Sequence, residues 1–399
     1  MTRIGERAGA RTTTWFHADD CSLDDLRAVV EVPTDKLDYP HAVDVVDSVP
    51  VYDCDQLRTE IASPGGRRSI QSELVVAMSD GPGLVVFAGA FPDTSVVDRV
   101  TEVFEAIIAD QHAAGQPAGD HYAKPGANDR IWNALEKLAL RDPDAFVEYY
   151  GNQIIELVSA AWLGPNFQIT SQVNVVNPGG AAQVPHRDYH LGFQSVEIAQ
   201  EFPAHAHRLS AVLTLQGAVA HTDMPVESGP TMYLPHSQKY ELGYLGWRRP
   251  DFAEYFAEHH VQLPLRMGDA AFFNPALSHA AGHNRTADVK RMANLMQVSS
   301  AFGRPIETVN REAVSNAVFP ALLRRAAAGV PEVELRNAIA AAAEGYPFPT
   351  NLDRDQPIGG MTPDTQAELL WRAVGEDWAP DALRTALRAY AERHLTHTT

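Results

Sequence analysis

The sequence predicts a mainly β core flanked by helices at both ends. Three observations carry this: short β-rich runs follow one another between about residues 166 and 302, Gly, Pro, Asn and Asp separate them, and helix-like segments precede and follow. The cadence of the middle stretch is that of an antiparallel sandwich or barrel.

Element by element, residues 1 to about 70 form a mixed, polar N-terminal extension in which SLDDLRAVVEV (22–32) reads as helix. LVVAMSDGPGLVVFAGAF (74–91) holds two apolar runs around a Gly-Pro-Gly turn, predicting strands or a hairpin. DTSVVDRVTEVFEAIIADQHAA (93–114) places Val, Phe and Ile at helical spacing, as in a helix packed on a sheet. The loop HYAKPGANDR (121–130) leads into further helix, IWNALEKLALRDPDAFVEYYGNQIIELVSAAWLG. NFQITSQVNVVN, HRLSAVLTLQGAV, GPTMYLP, DAAFFNP and RMANLMQVSSAF are the candidate strands. From about 305 the chain is helical again, in FPALLRRAAAG, VELRNAIAAAAEG and TQAELLWRAVGEDW, with YPFPTNLDRDQPIGG (346–360) as an interrupting loop. The expected organisation is an extension over 1–70, a core with flanking helices over 71–305, and a C-terminal helical extension over 306–399 packed on the core.

Composition narrows the function classes. The chain is 45% hydrophobic and 21% charged, with a net charge of −19 that works against nucleic acid, whose phosphates call for basic patches. No stretch approaches the roughly 20 apolar residues of a membrane span, and the first residues lack the apolar core of a signal peptide. Cys21 and Cys54 make neither a disulfide framework nor a CxxC pair. A cytoplasmic protein acting on a small molecule is expected; nothing in the sequence sets its oligomeric state.

Two histidines and a carboxylate on one face leave three open positions on a metal and suit Fe(II). In a strand, residues i and i+2 share a side, so His-x-Asp presents two ligands together. The pattern occurs three times, at His17–Asp19, His186–Asp188 and His221–Asp223. The first sits in HADDCSLDD, a helix start with Asp as cap. The third precedes MPVESGP at a strand end, where Asp orders a turn. His186–Asp188 follows a β run and the turn NPGG. Downstream, RMGDAAFFNPALSHAAGHNRTADVKRMANLMQVS reads as strand, His279, a Gly-containing loop, and a strand opening at Arg291. His279 supplies a third ligand. Arg291 supplies the bidentate cation that the far carboxylate of an iron-bound 2-oxoglutarate needs.

These segments, in this order over about residues 74 to 302, resemble the phytanoyl-CoA dioxygenase family of Fe(II)/2-oxoglutarate oxygenases. GLVVFAGAF is similar to the family's first core strand, NPGGAAQVPHRDYH to its proximal motif, and ESGPTMYLPHSQ to its Gly-Pro turn. GDAAFFNPALSHAAGHNRT resembles the distal-histidine segment and RMANLMQVS the closing strand. The resemblance implies a double-stranded β-helix (jelly roll, cupin-like) as the core. It implies Fe(II), 2-oxoglutarate and O2 as cofactors, and His186, Asp188 and His279 as the metal ligands. It also implies a contact to 2-oxoglutarate from Asn174, for which a plain strand-end Asn is the alternative, and a reach to its carboxylate from Lys124, for which a solvated loop lysine is the alternative. Lys290 stands at the family's usual spacing, eleven residues after His279, and Arg291 one later. The sequence after Arg291 aligns better with the family's strand, so Arg291 is assigned and Lys290 kept as the alternative. Ala281 stands where a co-substrate-touching Ser is common, and PHSQ replaces Pro-Gly-Ser-His. Asp188 argues against halogenation, which needs a small residue there.

Other polar residues compete for attention. His190 shares the strand face of Asp188 in HRDYH. His283 lies four residues after His279, the spacing of a helical zinc pair, though its flanks are β-rich. His205 and His207 read as loop residues. Gln172 and Gln183 could face the pocket or serve ordinary strand and turn hydrogen bonds. The loops 121–130 and 346–360 are long enough to act as lids, with Arg130, Asp353 and Arg354 setting substrate choice. The expected function is hydroxylation of a C–H bond in a small metabolite, with release of succinate and CO2. The alternatives are a cupin-like isomerase or lyase without 2-oxoglutarate, and a non-enzymatic β-sandwich binding module.

Overall fold

The computed structural model describes residues 14–115 and 127–396. Its strands are β1 (Asp44–Val46), β2 (Val49–Asp53), β3 (Leu84–Ala88), β4 (Asn128–Ile131), β5 (Gln168–Val176), β6 (Thr214–Ala220), β7 (Met232–Tyr233), β8 (Ala270–Phe273), β9 (His279–Ala280) and β10 (Arg291–Ser299). Eight form one mixed sheet in the order β1-β2-β3-β8-β6-β10-β5-β4, and β7 pairs with β9 in a second. Every pairing is antiparallel except that of β2 with β3. Two strands of the large sheet thus come from the first 70 residues. No described helix is long and apolar enough to cross a membrane, and both cysteines are free and buried.

Apart from its exposed edge strand β1, the large sheet is largely buried on both sides, and its alternation divides two environments. Val85, Phe87, Val173, Val175, Leu215, Val219, Ala270, Phe272, Met292 and Met296 join the principal core with the helices Ser95–Ala113, Pro143–Tyr150, Gln153–Leu163 and Arg311–Ala327. Burying each large apolar side chain there contributes about 1.5–3 kcal/mol. On the other face, Val86, Gln172, Asn174, Gln216, Ala218, Ala271, Ala293 and Gln297 line a cavity. Asn174 pairs with Ala293, and Ala218 with Ala271, across neighbouring strands. The alanines leave room where larger side chains would fill the space.

Several local expectations change. Leu74–Ser79 is not a strand: it ends the helix Pro64–Ser79, which Ser63 caps and Pro64 opens. The apolar run belonged to a helical face that includes Ile70 and Leu74. Within 121–130, Asn128–Arg130 is strand rather than loop. His205 and His207 lie in the helix Ala204–Ser210, not in a loop. HADDCSLDD does not use Asp as its cap: Ser22 caps Leu23–Val30 by accepting from the Asp25 N–H.

His221 is sealed in the helix-facing core, bonded through Nδ1 to Thr101 (2.8 Å) and Nε2 to the Tyr149 hydroxyl (2.9 Å). Burial pushes its pKa from 6.5 down to about 3, so the folded ring is neutral. Below the ordinary value the unfolded chain takes up a proton that the folded chain refuses. Stability contributed by the neutral ring is therefore complete above pH 6.5 and lost as pH falls toward 3, at up to about 1.4 kcal/mol per pH unit. Urea unfolding across this range should show a slope shallower by about one proton in His221→Phe; an unchanged slope would contradict the assignment.

Candidate metal centre

His186 and His279 meet in an antiparallel bridge, each backbone N–H donating to the other's carbonyl at 2.9 and 3.0 Å. The imidazole of His186 bonds through Nδ1 to the Val184 carbonyl (2.8 Å), and that of His279 to the Leu277 carbonyl (2.9 Å). With Nδ1 donating, Nε2 is the unprotonated nitrogen suited to a metal. His186 Nε2 lies 3.8 Å from Asp188 Oδ1, and His279 Nε2 lies 3.5 Å from Asp188 Oδ2. The three ligand atoms all fall within 4.8 Å of one another, and among the described residues no other group of His, Cys, Asp and Glu is arranged to hold a metal.

Asp188 is positioned from both ends. Its N–H donates to the Pro275 carbonyl at 3.1 Å, and its Oδ2 accepts from Gln216 Nε2 at 2.6 Å. Burial opposes ionisation of this carboxyl, but the neighbouring imidazoles and the Gln216 amide outweigh it and hold the group well below the usual carboxylate range. The intervening Arg187 sends its guanidinium to the carbonyls of Tyr240 and Ser237.

The HRDYH segment is not the regular strand expected. Only His186 makes a bridge; Tyr189 and His190 take φ of +61° and +45°, and the chain turns into a 3-10 turn over His190–Phe193. His190 consequently leaves the face of Asp188 and stays outside the ligand group. His283 is also outside it, and His207 bonds to the Ala199 carbonyl.

The triad opens into a cavity of about 510 Å³ between the large sheet and the β7–β9 pair. Arg291, at the start of β10, shares the cavity face with Ala293 and Leu295 and is 5% exposed. Its Nη1 donates to the carbonyl of Gly229, and its Nε is buried with no hydrogen-bond partner among the described residues. Gly229 has φ +72°, and a Cβ there would come 2.4 Å from the His283 carbonyl oxygen, so the Gly-Pro turn needs glycine. Lys290 is exposed and does not line the cavity. Gln172, Asn174, Gln183 and Arg130 do line it; Asp353 and Arg354 do not, and Arg354 instead binds the carbonyls of Glu392 and Leu395. Lys124 lies outside the described residues.

His236 has φ +67°, in the left-handed region that suits glycine, at the second position of PHSQ. Its ring is tied to Thr34 and Lys239, both at 2.9 Å. Sequence reasoning missed Gln216, Phe193, Trp132, Trp247 and Arg248, all of which line the cavity. Gln216 was detectable only with the pairing of β6 in hand, and the others carry no motif.

The model of the phytanoyl-CoA dioxygenase (PhyH) family matches residues 54–293, more than half of the chain. No curated protein matches the sequence. Among solved structures, the non-heme alpha ketoglutarate dependent epimerase SnoN from nogalamycin biosynthesis is 18% identical. The match covers 60% of this chain and 82% of that one at a TM-score of 0.40. The carbocyclase SnoK from the same biosynthesis is 20% identical over 57% of this chain and 83% of that one, also at 0.40. With its family model matched over this length and a His-Asp-His group in the cavity, the chain belongs to the phytanoyl-CoA dioxygenase family of Fe(II)/2-oxoglutarate-dependent enzymes.

Proposed function

We propose that the protein hydroxylates a C–H bond of a small metabolite, consuming 2-oxoglutarate and O2 and releasing succinate and CO2. The observation that carries this reading is one cavity holding both the His186, Asp188, His279 group and a buried arginine with a partnerless Nε. The donor set fits iron: two imidazole nitrogens and a carboxylate, with no thiolate. Arg291 fits the far carboxylate of 2-oxoglutarate, because a buried guanidinium nitrogen without an acceptor is costly until an anion supplies one.

In this reading His186, Asp188 and His279 hold the ion, and the Val184 and Leu277 carbonyls fix the two rings. Gln216 keeps one carboxylate oxygen of Asp188 in place. Arg291 orients the co-substrate, with the amides of Gln172 and Asn174 on the same face. The apolar walls, among them Leu263, Leu265 and Phe273, keep water from the reacting carbon. When bound, the iron supplies the oxidising chemistry that these side chains do not have. We also take the large sheet and the β7–β9 pair as the two faces of a double-stranded β-helix.

Anaerobic titration of the Fe(II)-loaded protein with 2-oxoglutarate, followed by the weak visible charge-transfer band of the chelate, tests this. Arg291→Ala should weaken 2-oxoglutarate binding by roughly ten- to a hundredfold, the loss of about 1.5–3 kcal/mol of charged hydrogen bonding. Arg291→Lys should recover only part, keeping the charge without the fork. A folded, metal-loaded wild type showing no band would favour a cupin-like enzyme that does not use 2-oxoglutarate.

A further inference from the structure

The outer part of the cavity is built from side chains that the metal group and Arg291 leave unused. Trp132, Phe193 and Ile306 line it while remaining 39%, 48% and 37% exposed. Single exposed apolar residues are ordinary, but three at one cavity mouth make an apolar surface that an incoming molecule can cover. Trp247 lies beside the chemistry: its indole meets the His186 ring edge-on, with centroids 6.5 Å apart. A flat molecule resting against Trp247 therefore has its body next to a metal ligand.

Charge adds a second constraint. Besides Arg187 and Arg291, the lining holds Arg130 and Arg248, and its one carboxylate among the described residues is Asp188. Each of these two arginines lies over an indole, the Arg130 Cζ 4.8 Å from the Trp132 ring centroid and the Arg248 Cζ 4.0 Å from that of Trp247. A guanidinium held over a ring has already lost side-chain freedom, so less is lost when an anion binds, and its five N–H groups can serve an anion beside existing partners such as the Gly192 carbonyl, 3.5 Å from Arg248 Nη2. Glu307 neighbours Arg130 and Glu197 neighbours Arg248, but neither lines the cavity. In a chain of net charge −19, a cavity lined this way is a local reversal of sign that concentrates anions.

We infer that the primary substrate combines a planar apolar body with an oxyanion such as a carboxylate. The body lies along Trp247 toward Phe193 and Trp132, and Arg248 and Arg130 hold the anion. This rests on the oxygenase reading of the same cavity and adds the substrate class to it.

The test is calorimetric titration of the full chain, loaded anaerobically with Fe(II) and 2-oxoglutarate, with four probes: naphthylacetate, naphthylethanol, naphthylethylamine and hexanoate. Naphthylacetate should bind at least about tenfold more tightly than the neutral alcohol, the effect of one charge-assisted hydrogen bond. It should also exceed hexanoate, which lacks the planar body, and the amine should bind weakest. The paired change Arg130→Met with Arg248→Met should erase the acid-over-alcohol preference, and Trp247→Leu should erase the naphthyl-over-hexanoate preference. Equal binding of acid, alcohol and amine, or no binding of any probe, would overturn the inference. The charge-transfer band in the same samples separates the two levels: a band without discrimination removes only the substrate class, whereas no band removes the oxygenase reading and this inference with it.

Discussion

Replacing His279 with alanine is expected to bring 2-oxoglutarate turnover down to background while leaving the protein folded. The bridge that joins His279 to His186 is made by backbone N–H and carbonyl groups, which alanine keeps. What disappears is one of three ligand atoms, together with the ring packed 4.5 Å from His186 and 4.8 Å from Phe273. Losing an outer partner of a metal ligand costs roughly 10–100-fold in affinity or activity; losing the ligand itself should cost more. Gln216→Leu gives that smaller effect for comparison, because it removes only the hydrogen bond to Asp188. Iron content after dialysis and succinate release measure both. Wild-type iron occupancy in a folded His279→Ala protein would remove His279 from the site.

The parts of this centre that were legible in the sequence are those where one strand's alternation carries the information. Arg291 was preferred to Lys290 because the residues after it align better with the family's closing strand, and in a strand a one-residue shift reverses the face. β10 does begin at Arg291. His186 and Asp188 were singled out for a partly mistaken reason. His-x-Asp was expected to share a regular strand, but the chain leaves extended geometry directly after Asp188, at Tyr189 and His190. That turn excludes His190, and alternation alone could not foresee it. The apolar run before Gly81 was misread because a short window cannot separate strand from buried helix; the capping Ser63 and Pro64 lay outside it. Trp247 and Arg248 reach the cavity from a segment distant in sequence, and Phe193 through the turn after Asp188, so only tertiary structure reveals them. None of residues 346–360 lines the cavity; Arg354 and Asn351 find their partners at the end of the C-terminal helix and its cap.

The second large effect is expected at Gly243, a residue with no part in ligation. The guanidinium of Arg187 fills the space beside Gly243, where a Cβ would lie 1.7 Å from its Cζ and 2.0 Å from either terminal nitrogen. The Arg187 head is buried, donates to the Tyr240 and Ser237 carbonyls, and stands 5.6 Å from the centre of the Tyr244 ring. Gly243→Ala should therefore either overpack this site, at about 1–3 kcal/mol or more, or expel a charged group whose backbone lies between His186 and Asp188. Both outcomes disturb the His186, Asp188 and His279 group, so stability to urea and iron affinity should fall together. The clash involves one pair, which makes it separable. Arg187→Ala combined with Gly243→Ala should be more stable than Gly243→Ala alone, a coupling of the size expected for residues in contact. Arg187→Met should keep part of the stability: among the described residues no carboxylate pairs with Arg187, so no charge is left uncompensated, but the Tyr240 and Ser237 carbonyls lose their donor. Its iron affinity should still drop, since the segment between the two ligands loses its hold on residues 237–240. Additive losses in the double variant would show that Gly243 matters for its backbone rather than for the space it leaves to Arg187.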